Sequence, residues 1–187
     1  MEQKENDPKT ALLIMDIQSN FIPFIKEGES LLKTVAGAIE KARKSKIPVI
    51  YVVTGFRKGY PEVSMNNKYL AQIKSGGLVD MQIKPEIPSL IAPQLDEIIV
   101  NKLRASAFAG SDLEVILRSL KIEHLVLTGI QTAGVVLSTL REAADKDYKL
   151  TVLSDCCADL EDEVHDFLVR KIFPSQADVI KSSEWLV

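Results

Sequence analysis

Short apolar runs, each closed by a polar residue, constrain the fold of this chain more than any other feature. They span residues 11–15, 48–53, 97–101, 124–128, 149–153 and 177–180. Runs of this length and composition are typical of strands buried on both faces of a parallel sheet. Amphipathic stretches separate them, with apolar residues at helical spacing over 31–42, for example. Right-handed crossovers then predict a three-layer α/β/α sandwich around a six-stranded, mainly parallel, doubly wound sheet.

The chain is predicted to form a single domain over residues 1–187. A length of 187 residues with 46% hydrophobic residues suffices for one substantial core. No internal repeat, low-complexity run or linker divides the sequence. Residues 1–9 are polar, and we expect them to be a flexible N-terminus.

Charge and composition exclude several classes of partner. The chain has 23 Lys and Arg against 26 Asp and Glu, scattered along its length, so nucleic acid is not an expected partner. No apolar run approaches the roughly 18 residues that cross a bilayer, so no membrane span is expected. The N-terminus lacks a signal-peptide pattern, and the adjacent Cys156 and Cys157 are badly placed to bridge distant segments. A cytoplasmic location is the resulting prediction.

Polar residues at the ends of the predicted strands mark the candidate site. Ligands of doubly wound folds bind beyond the carboxyl ends of the strands, where Asp16, Lys102 and Asp155 fall. Residues 125–139 read as a strand that stops at Gly129 and passes at once into a helix, an arrangement that presents backbone N–H groups to a ligand. We therefore expect this stretch to form the floor of the site.

The segment from Gly55 to Pro93 lacks periodicity and is rich in Gly and Pro. Loops of this length are either functional or solvated excursions, and the sequence favours neither. If the segment walls a pocket, Phe56 and Tyr60 could stack on a substrate ring, and Arg57 could pair with a carboxylate. Farther on, Ser111-Asp112-Leu113-Glu114 has the form of a capping box and predicts a helix start.

Three motifs in order carry a resemblance to a known family. They are Asp16-Ile17-Gln18 with Phe21, Lys102 after a strand, and Gly129-x-x-Thr132 with Thr139 and Ala143. Over residues 10 to 180 the chain resembles the isochorismatase-like superfamily, which includes nicotinamidases and other cysteine hydrolases. The resemblance implies the same three-layer α/β fold.

In the cysteine hydrolases of that superfamily, an Asp, a Lys and a Cys share one pocket, and a non-proline cis peptide shapes an oxyanion hole. The resemblance assigns the first two roles to Asp16 and Lys102 and the cis bond to Ile130-Gln131. The nucleophile position falls on Val135, which cannot attack a carbonyl. Cys156 and Cys157 follow the next strand, and we expect both to be ordinary buried residues.

Two interpretations of the departure at Val135 stay open. In the first, the protein is a hydrolase that resembles the isochorismatases, which lack the cysteine and cleave a vinyl ether. Asp16 then acts as general acid or base, with a pKa raised by burial and moderated by Lys102. In the second, the protein is a catalytically degenerate small-molecule-binding or interaction protein. A purely structural ion pair between Asp16 and Lys102 is the competing explanation for these two residues.

The remaining expectations concern ligands and assembly. The substrate-binding candidates, for a small anionic or cyclic substrate, are Gln18, Phe21, Phe56, Arg57, Tyr60, Phe108 and Gly134. For Gln18, local hydrogen bonding is an equal alternative, and Thr132 may be read simply as a helix cap. The related nicotinamidases carry a metal site of Asp and several His after the second strand, but His124 and His165 both lie elsewhere. No metal or cofactor is expected, and the resemblance implies a homo-oligomer, either a dimer or a tetramer.

Overall fold

The computed structural model describes residues 9–76, 81, 82 and 85–186. Apart from Lys9, the expected flexible N-terminus of residues 1–9 lies outside these ranges. Within them, no helix is both long and apolar enough to cross a membrane.

Six parallel strands form one sheet in the order β3-β2-β1-β4-β5-β6. The strands are β1 (Thr10–Met15), β2 (Val49–Thr54), β3 (Ile98–Lys102), β4 (His124–Ile130), β5 (Lys149–Ala158) and β6 (Asp178–Ile180). Each coincides with a predicted apolar run. The main difference is β5, which continues past residue 153 to Ala158 after a register irregularity against β4. The predicted α/β fold with its doubly wound sheet is confirmed.

Helices cover both faces of the sheet. They are α1 (Gly28–Lys44), α2 (Lys68–Lys74), α3 (Leu113–Ser119), α4 (Leu137–Asp145) and α5 (Asp162–Phe167). A π-helical turn, Thr132–Val136, leads into α4, and another, Leu168–Ile172, prolongs α5. The helix α2 lies inside the segment that was expected to be irregular. Asn67 begins it, because its side chain accepts a hydrogen bond from the Leu70 N–H.

Two hydrophobic cores lie on opposite faces of the sheet. Successive residues of β1 alternate between them, so Leu12 packs with the α1 face and Leu13 with the α3 and α4 face. Burial on both faces explains why the strand runs are apolar throughout rather than alternating. Cys156 is buried in the core on the α1 face, and Cys157 in the core on the α3 and α4 face. Both are free thiols, which confirms that they are ordinary buried residues.

The predicted capping box of α3 is wrong. The helix begins at Leu113, and Ser111 lies one residue too early to cap it. The Ser111 hydroxyl accepts from the Leu113 N–H and donates to the carbonyl of Ala107, which closes the preceding loop instead. Glu114 pairs with Lys146 at the end of α4, so its carboxylate does not return to the helix start.

A third, smaller hydrophobic cluster lies beyond the carboxyl ends of β1, β2 and β3. Its buried members are Phe56, Tyr60, Val63, Leu70 and Met81, with Phe21, Ile73 and Leu103 packed against them. We call this set the cap cluster. It draws on the loops that follow all three strands and on α2. The described part of the 55–93 segment is therefore packed against the sheet edge and is not a solvated excursion.

His124, the first residue of β4, contacts β1 and β5, and we expect it to make the fold sensitive to acid. Its ring nitrogens contact the Thr10 and Thr151 hydroxyls at 3.1 and 2.9 Å. Burial and the nearby Lys149 charge lower the pKa of His124 to about 4. The ring is therefore neutral in the folded protein, whereas in the unfolded chain it gains a proton near pH 6.5.

We expect the contribution of His124 to stability to be complete above pH 6.5 and to be lost as the pH falls toward 4. His124→Gln does not titrate. Between pH 7.5 and 4.5, the free energy of unfolding should fall in the wild type by on the order of 1 kcal/mol more than in this variant, after discounting for partial solvent exposure. Urea unfolding of both proteins at pH 7.5 and 4.5 measures this difference. An equal loss in the two proteins would contradict the assignment.

Candidate active site

Three side chains from neighbouring strands meet at the carboxyl edge of the sheet. Asp16 follows β1, Thr54 ends β2, and Lys102 ends β3. The Lys102 Nζ lies 2.8 Å from Asp16 Oδ2 and donates to Thr54 Oγ1 at 2.7 Å. The Thr54 hydroxyl donates to Asp16 Oδ1 and Oδ2 at 3.0 and 3.1 Å. The structure thus brings the two predicted residues together and adds a third that the sequence motifs do not mark.

The centre is buried, with only 5% of Asp16, 6% of Thr54 and 2% of Lys102 exposed. Burial raises the pKa of Asp16, while the charge of Lys102 and the hydrogen bonds from Lys102 and Thr54 act against that rise. The third N–H of the Lys102 ammonium donates to the carbonyl of Arg104 at 2.9 Å, so all three of its donors are used. The carboxyl group is therefore placed to hold a proton beside a fixed positive charge.

The backbone of Asp16 is strained. Its φ of +52° lies in the left-handed region, which costs a non-glycine residue on the order of 1 kcal/mol. The Asp16 N–H donates to the carbonyl of Val52 at 2.8 Å, which holds this conformation against β2. Such strain clusters at functional sites, and here it turns a carboxylate toward Lys102.

Gln18 serves the protein interior. It is 1% exposed, its Oε1 accepts from the Thr54 N–H at 2.8 Å, and its Nε2 donates to the Thr54 carbonyl at 3.3 Å. Both ends of the amide are thereby engaged by backbone. These contacts are the local hydrogen bonds of the alternative interpretation, and substrate binding by Gln18 stays a prediction.

The turn after β4 passes close to β1. A Cβ on Gly129 would lie 2.5 Å from the Met15 carbonyl oxygen, so only glycine fits. The Ile130-Gln131 peptide is cis, at the position where the resemblance places it. Val135 follows in the π-helical turn, buried, with its N–H bonded to the Gln131 carbonyl at 2.9 Å. An isopropyl group therefore occupies the nucleophile position.

Two contacts attach this turn to the region of α5. The Thr132 hydroxyl lies 2.9 Å from His165 Nδ1, and the Ala133 N–H donates to Asp159 Oδ2 at 2.6 Å. The interpretation of Thr132 as a helix cap is wrong, since its hydroxyl reaches across to another element. Burial lowers the pKa of His165. Asp155, which the sequence placed at a strand end of the candidate site, binds the C-terminal segment: its carboxylate accepts hydrogen bonds from the Ser182 N–H and hydroxyl.

Most of the predicted aromatic wall packs against itself. The Phe56 and Tyr60 rings, 5.6 Å apart, are buried in the cap cluster, which Phe21 joins from the β1 loop. Phe108 contacts Tyr148 in the core, with ring centroids 6.0 Å apart. Tyr148 directly precedes β5, at the opposite edge of the sheet from Asp16. The structure thus places Phe108 in the core, and its stacking on a substrate stays a prediction.

The predicted anion-binding residue already has a partner. Arg57 is paired with Glu62 at 2.5 Å. Both line a cavity of about 800 Å³ beside β3 whose lining includes neither Asp16 nor Lys102. Gly134 lies in the π-helical turn, and a Cβ there would come no closer than 3.4 Å to Gln131 Oε1, so the position accommodates a side chain. The structure thus brings neither Arg57 nor Gly134 into contact with the buried centre.

Tyr69 is a candidate that the sequence analysis missed. It lies on α2 and is 60% exposed. Burial around its hydroxyl and the negative charge of Asp16 nevertheless raise the pKa of Tyr69. Its hydroxyl is therefore within electrostatic reach of Asp16, which makes Tyr69 a candidate residue of the site. No sequence pattern could reveal this, because α2 itself was not predicted.

Among the residues that the structure describes, no three or more His, Cys, Asp or Glu side chains gather closely enough to hold a metal ion.

The buried charges should be interdependent. Asp16→Asn leaves the Lys102 ammonium buried without a counter-charge, and we expect a loss of about 3–5 kcal/mol in the free energy of unfolding. The double variant Asp16→Asn/Lys102→Met removes both charges and should recover at least half of that loss. Urea denaturation measures both. Lys44→Gln, which breaks the exposed pair with Glu40, is the control and should leave stability unchanged. A double variant no more stable than Asp16→Asn would contradict this account.

Comparisons with known proteins agree with the fold. The model of the isochorismatase domain matches residues 10–184. Ureidoacrylate amidohydrolase RutB of Caulobacter vibrioides is 31% identical over 177 residues, which are 80% of this chain and 77% of that protein. A probable inactive nicotinamidase of Arabidopsis thaliana is 29% identical over 164 residues, with 83% and 84% covered. The structure of an isochorismatase family protein from Burkholderia thailandensis has a TM-score of 0.81 at 26% identity, with 95% of this chain and 93% of that chain covered. This chain belongs to the isochorismatase family.

Proposed function

We propose that the protein hydrolyses a small molecule by general acid–base chemistry of Asp16 and Lys102, without a cysteine nucleophile. The observation that carries the proposal is the 2.8 Å contact between Lys102 Nζ and Asp16 Oδ2, buried at the ligand-facing edge of the sheet. A buried ion pair contributes little net stability because desolvation offsets the attraction between its charges. Its presence at this edge, on a strained backbone, favours chemistry over structural support.

Each residue has a distinct part in the proposed reaction. The Asp16 carboxyl group, with its raised pKa, gives a proton to the leaving oxygen or accepts one from the attacking water. The Lys102 ammonium stabilises negative charge that develops on the substrate. The turn from Ile130 to Gly134 begins a helical segment, a place that favours an oxyanion or a carboxylate, although its Ala133 N–H is already bonded to Asp159. Water is the nucleophile, since Val135 offers none.

The same chemistry favours a small anionic or cyclic substrate. Lys102 supplies positive charge, Phe21 supplies ring surface on the side of the cap cluster, and Tyr69 supplies an exposed ring from α2. A role for Arg57 in binding a carboxylate requires the substrate to displace Glu62 from the existing pair. The relative RutB is an amidohydrolase, so a carbon–nitrogen bond belongs among the bonds to be tested beside esters and vinyl ethers.

A binding protein that has lost catalysis is the second candidate. Val135 at the nucleophile position and the nearly complete burial of Asp16 and Lys102 favour it. A relative named as a probable inactive nicotinamidase has a similar sequence. For either function we propose a cytoplasmic homo-oligomer, dimer or tetramer. Free thiols at Cys156 and Cys157 suit a reducing compartment, and Phe24, Leu160 and Phe167 expose apolar side chains.

A panel of vinyl ethers, esters and amides tests the enzyme hypothesis with wild type, Asp16→Asn and Val135→Cys. We expect the wild type to hydrolyse at least one class and Asp16→Asn to lower kcat by about 10²–10⁴-fold, the range for a lost general acid or base. If Asp16 is the acid, activity falls as the pH rises through its raised pKa, because the protonated form is the active one. Steady-state kinetics from pH 4 to 9 measure both effects.

Val135→Cys should gain amidase activity, since it supplies a thiol at the position that the resemblance assigns to the nucleophile. Val135→Ala is the matched control, because it shortens the same side chain without adding a thiol. If no panel compound is turned over by the wild type while a ligand raises its thermal midpoint, the binding-protein hypothesis replaces the enzyme hypothesis.

A further inference from the structure

The Thr54 hydroxyl lies between the two charges of the centre. It accepts a hydrogen bond from Lys102 Nζ at 2.7 Å and donates to the Asp16 oxygens at 3.0 and 3.1 Å. A hydroxyl has a single proton, and the lysine ammonium occupies one of its lone pairs. Lys102 therefore forces that proton toward Asp16, and the direction of the hydroxyl is set by the charge next to it.

The backbone under this hydroxyl is fixed as firmly as the hydroxyl itself. Gln18 binds both the N–H and the carbonyl of Thr54, at 2.8 and 3.3 Å. Thr54 also pairs in register with Lys102 across β2 and β3. Gln18 is almost fully buried, and its side-chain amide clamps the residue whose hydroxyl contacts both charges. The backbone N–H and carbonyl of Thr54 are thus both bonded to a buried polar side chain.

The arrangement makes the two oxygens of Asp16 inequivalent. Oδ2 contacts the Lys102 ammonium and accepts from the Thr54 hydroxyl, whereas Oδ1 accepts from the Thr54 hydroxyl. Loss of the Thr54 hydroxyl would therefore remove a donor from both oxygens and leave the ammonium contact on Oδ2.

We propose that Thr54, clamped by Gln18, is the positioning residue that sets the proton affinity of Asp16. This inference rests on the proposed function, because it assigns a control element to the same acid–base pair. Thr54 acts through Asp16 and need not touch the substrate.

Titration of the Asp16 side-chain carbon by ¹³C NMR tests the proposal without any substrate. Thr54→Val keeps the shape of the side chain but removes the hydroxyl, and the ionised carboxylate then loses a donor. We expect the Asp16 pKa to rise by about one unit or more, the size of a hydrogen bond to a charged group. Thr54→Ser keeps the hydroxyl and should leave the pKa within about 0.3 units of wild type. Gln18→Met should shift it in the direction of Thr54→Val, by less.

Equal Asp16 pKa values in wild type and Thr54→Val would overturn the proposal, as would a shift of equal size in Thr54→Ser. Urea denaturation verifies that each variant is folded, and the Thr54 pair decides the matter even if Gln18→Met is unstable. Where a panel substrate is hydrolysed, the acid limb or base limb of the pH–rate profile should move with the NMR pKa. A shifted pKa in a protein that hydrolyses nothing would uphold the role of Thr54 and refute the proposed hydrolysis, so the two failures are distinguishable.

Discussion

The parallel pairing of β1 with β2 on one side and β4 on the other is the constraint on which the rest of the structure depends. It buries β1 completely and brings three strand ends into line. Asp16 leaves β1 beside Thr54 at the end of β2, and Lys102 ends β3 one strand farther away. The charged centre thus needs no long loops to assemble it. Its cost is desolvation, which Lys102 and Thr54 offset by giving the Asp16 carboxylate a counter-charge and a hydrogen bond.

Sequence patterns predicted the sheet because buried strands and crossover helices leave strong periodic signals, as in residues 11–15 and 31–42. They also predicted that Asp16 and Lys102 meet, since parallel strands share one carboxyl edge. Other features depend on contacts between distant residues and left no local signal. Gln18 is polar and follows the site residue Asp16, so its inward amide and its clamp on Thr54 were invisible. The place of Phe108 in the core was missed because a ring in a loop is equally compatible with pocket and core.

The cap cluster could not be predicted from the sequence. Its residues are scattered over the loops after three strands, so no window of sequence shows the apolar face they share. Packing of these loops covers the buried charges and excludes water from them. Low dielectric strengthens the interaction of Lys102 with any developing charge, but the same cover separates the centre from substrate. Substrate can therefore reach Asp16 only if part of this cover moves aside.

Val135 and the raised pKa of Asp16 both favour the proposed acid–base chemistry. A carboxylate that activates a thiol must be ionised in order to accept the thiol proton. With Val135 in place, there is no thiol proton to accept, and burial raises the pKa of Asp16. In its protonated form, the Asp16 carboxyl group is suited to protonating a substrate, not to generating a nucleophile. Among the bonds considered, a vinyl ether needs this proton most, because protonation makes its carbon susceptible to water.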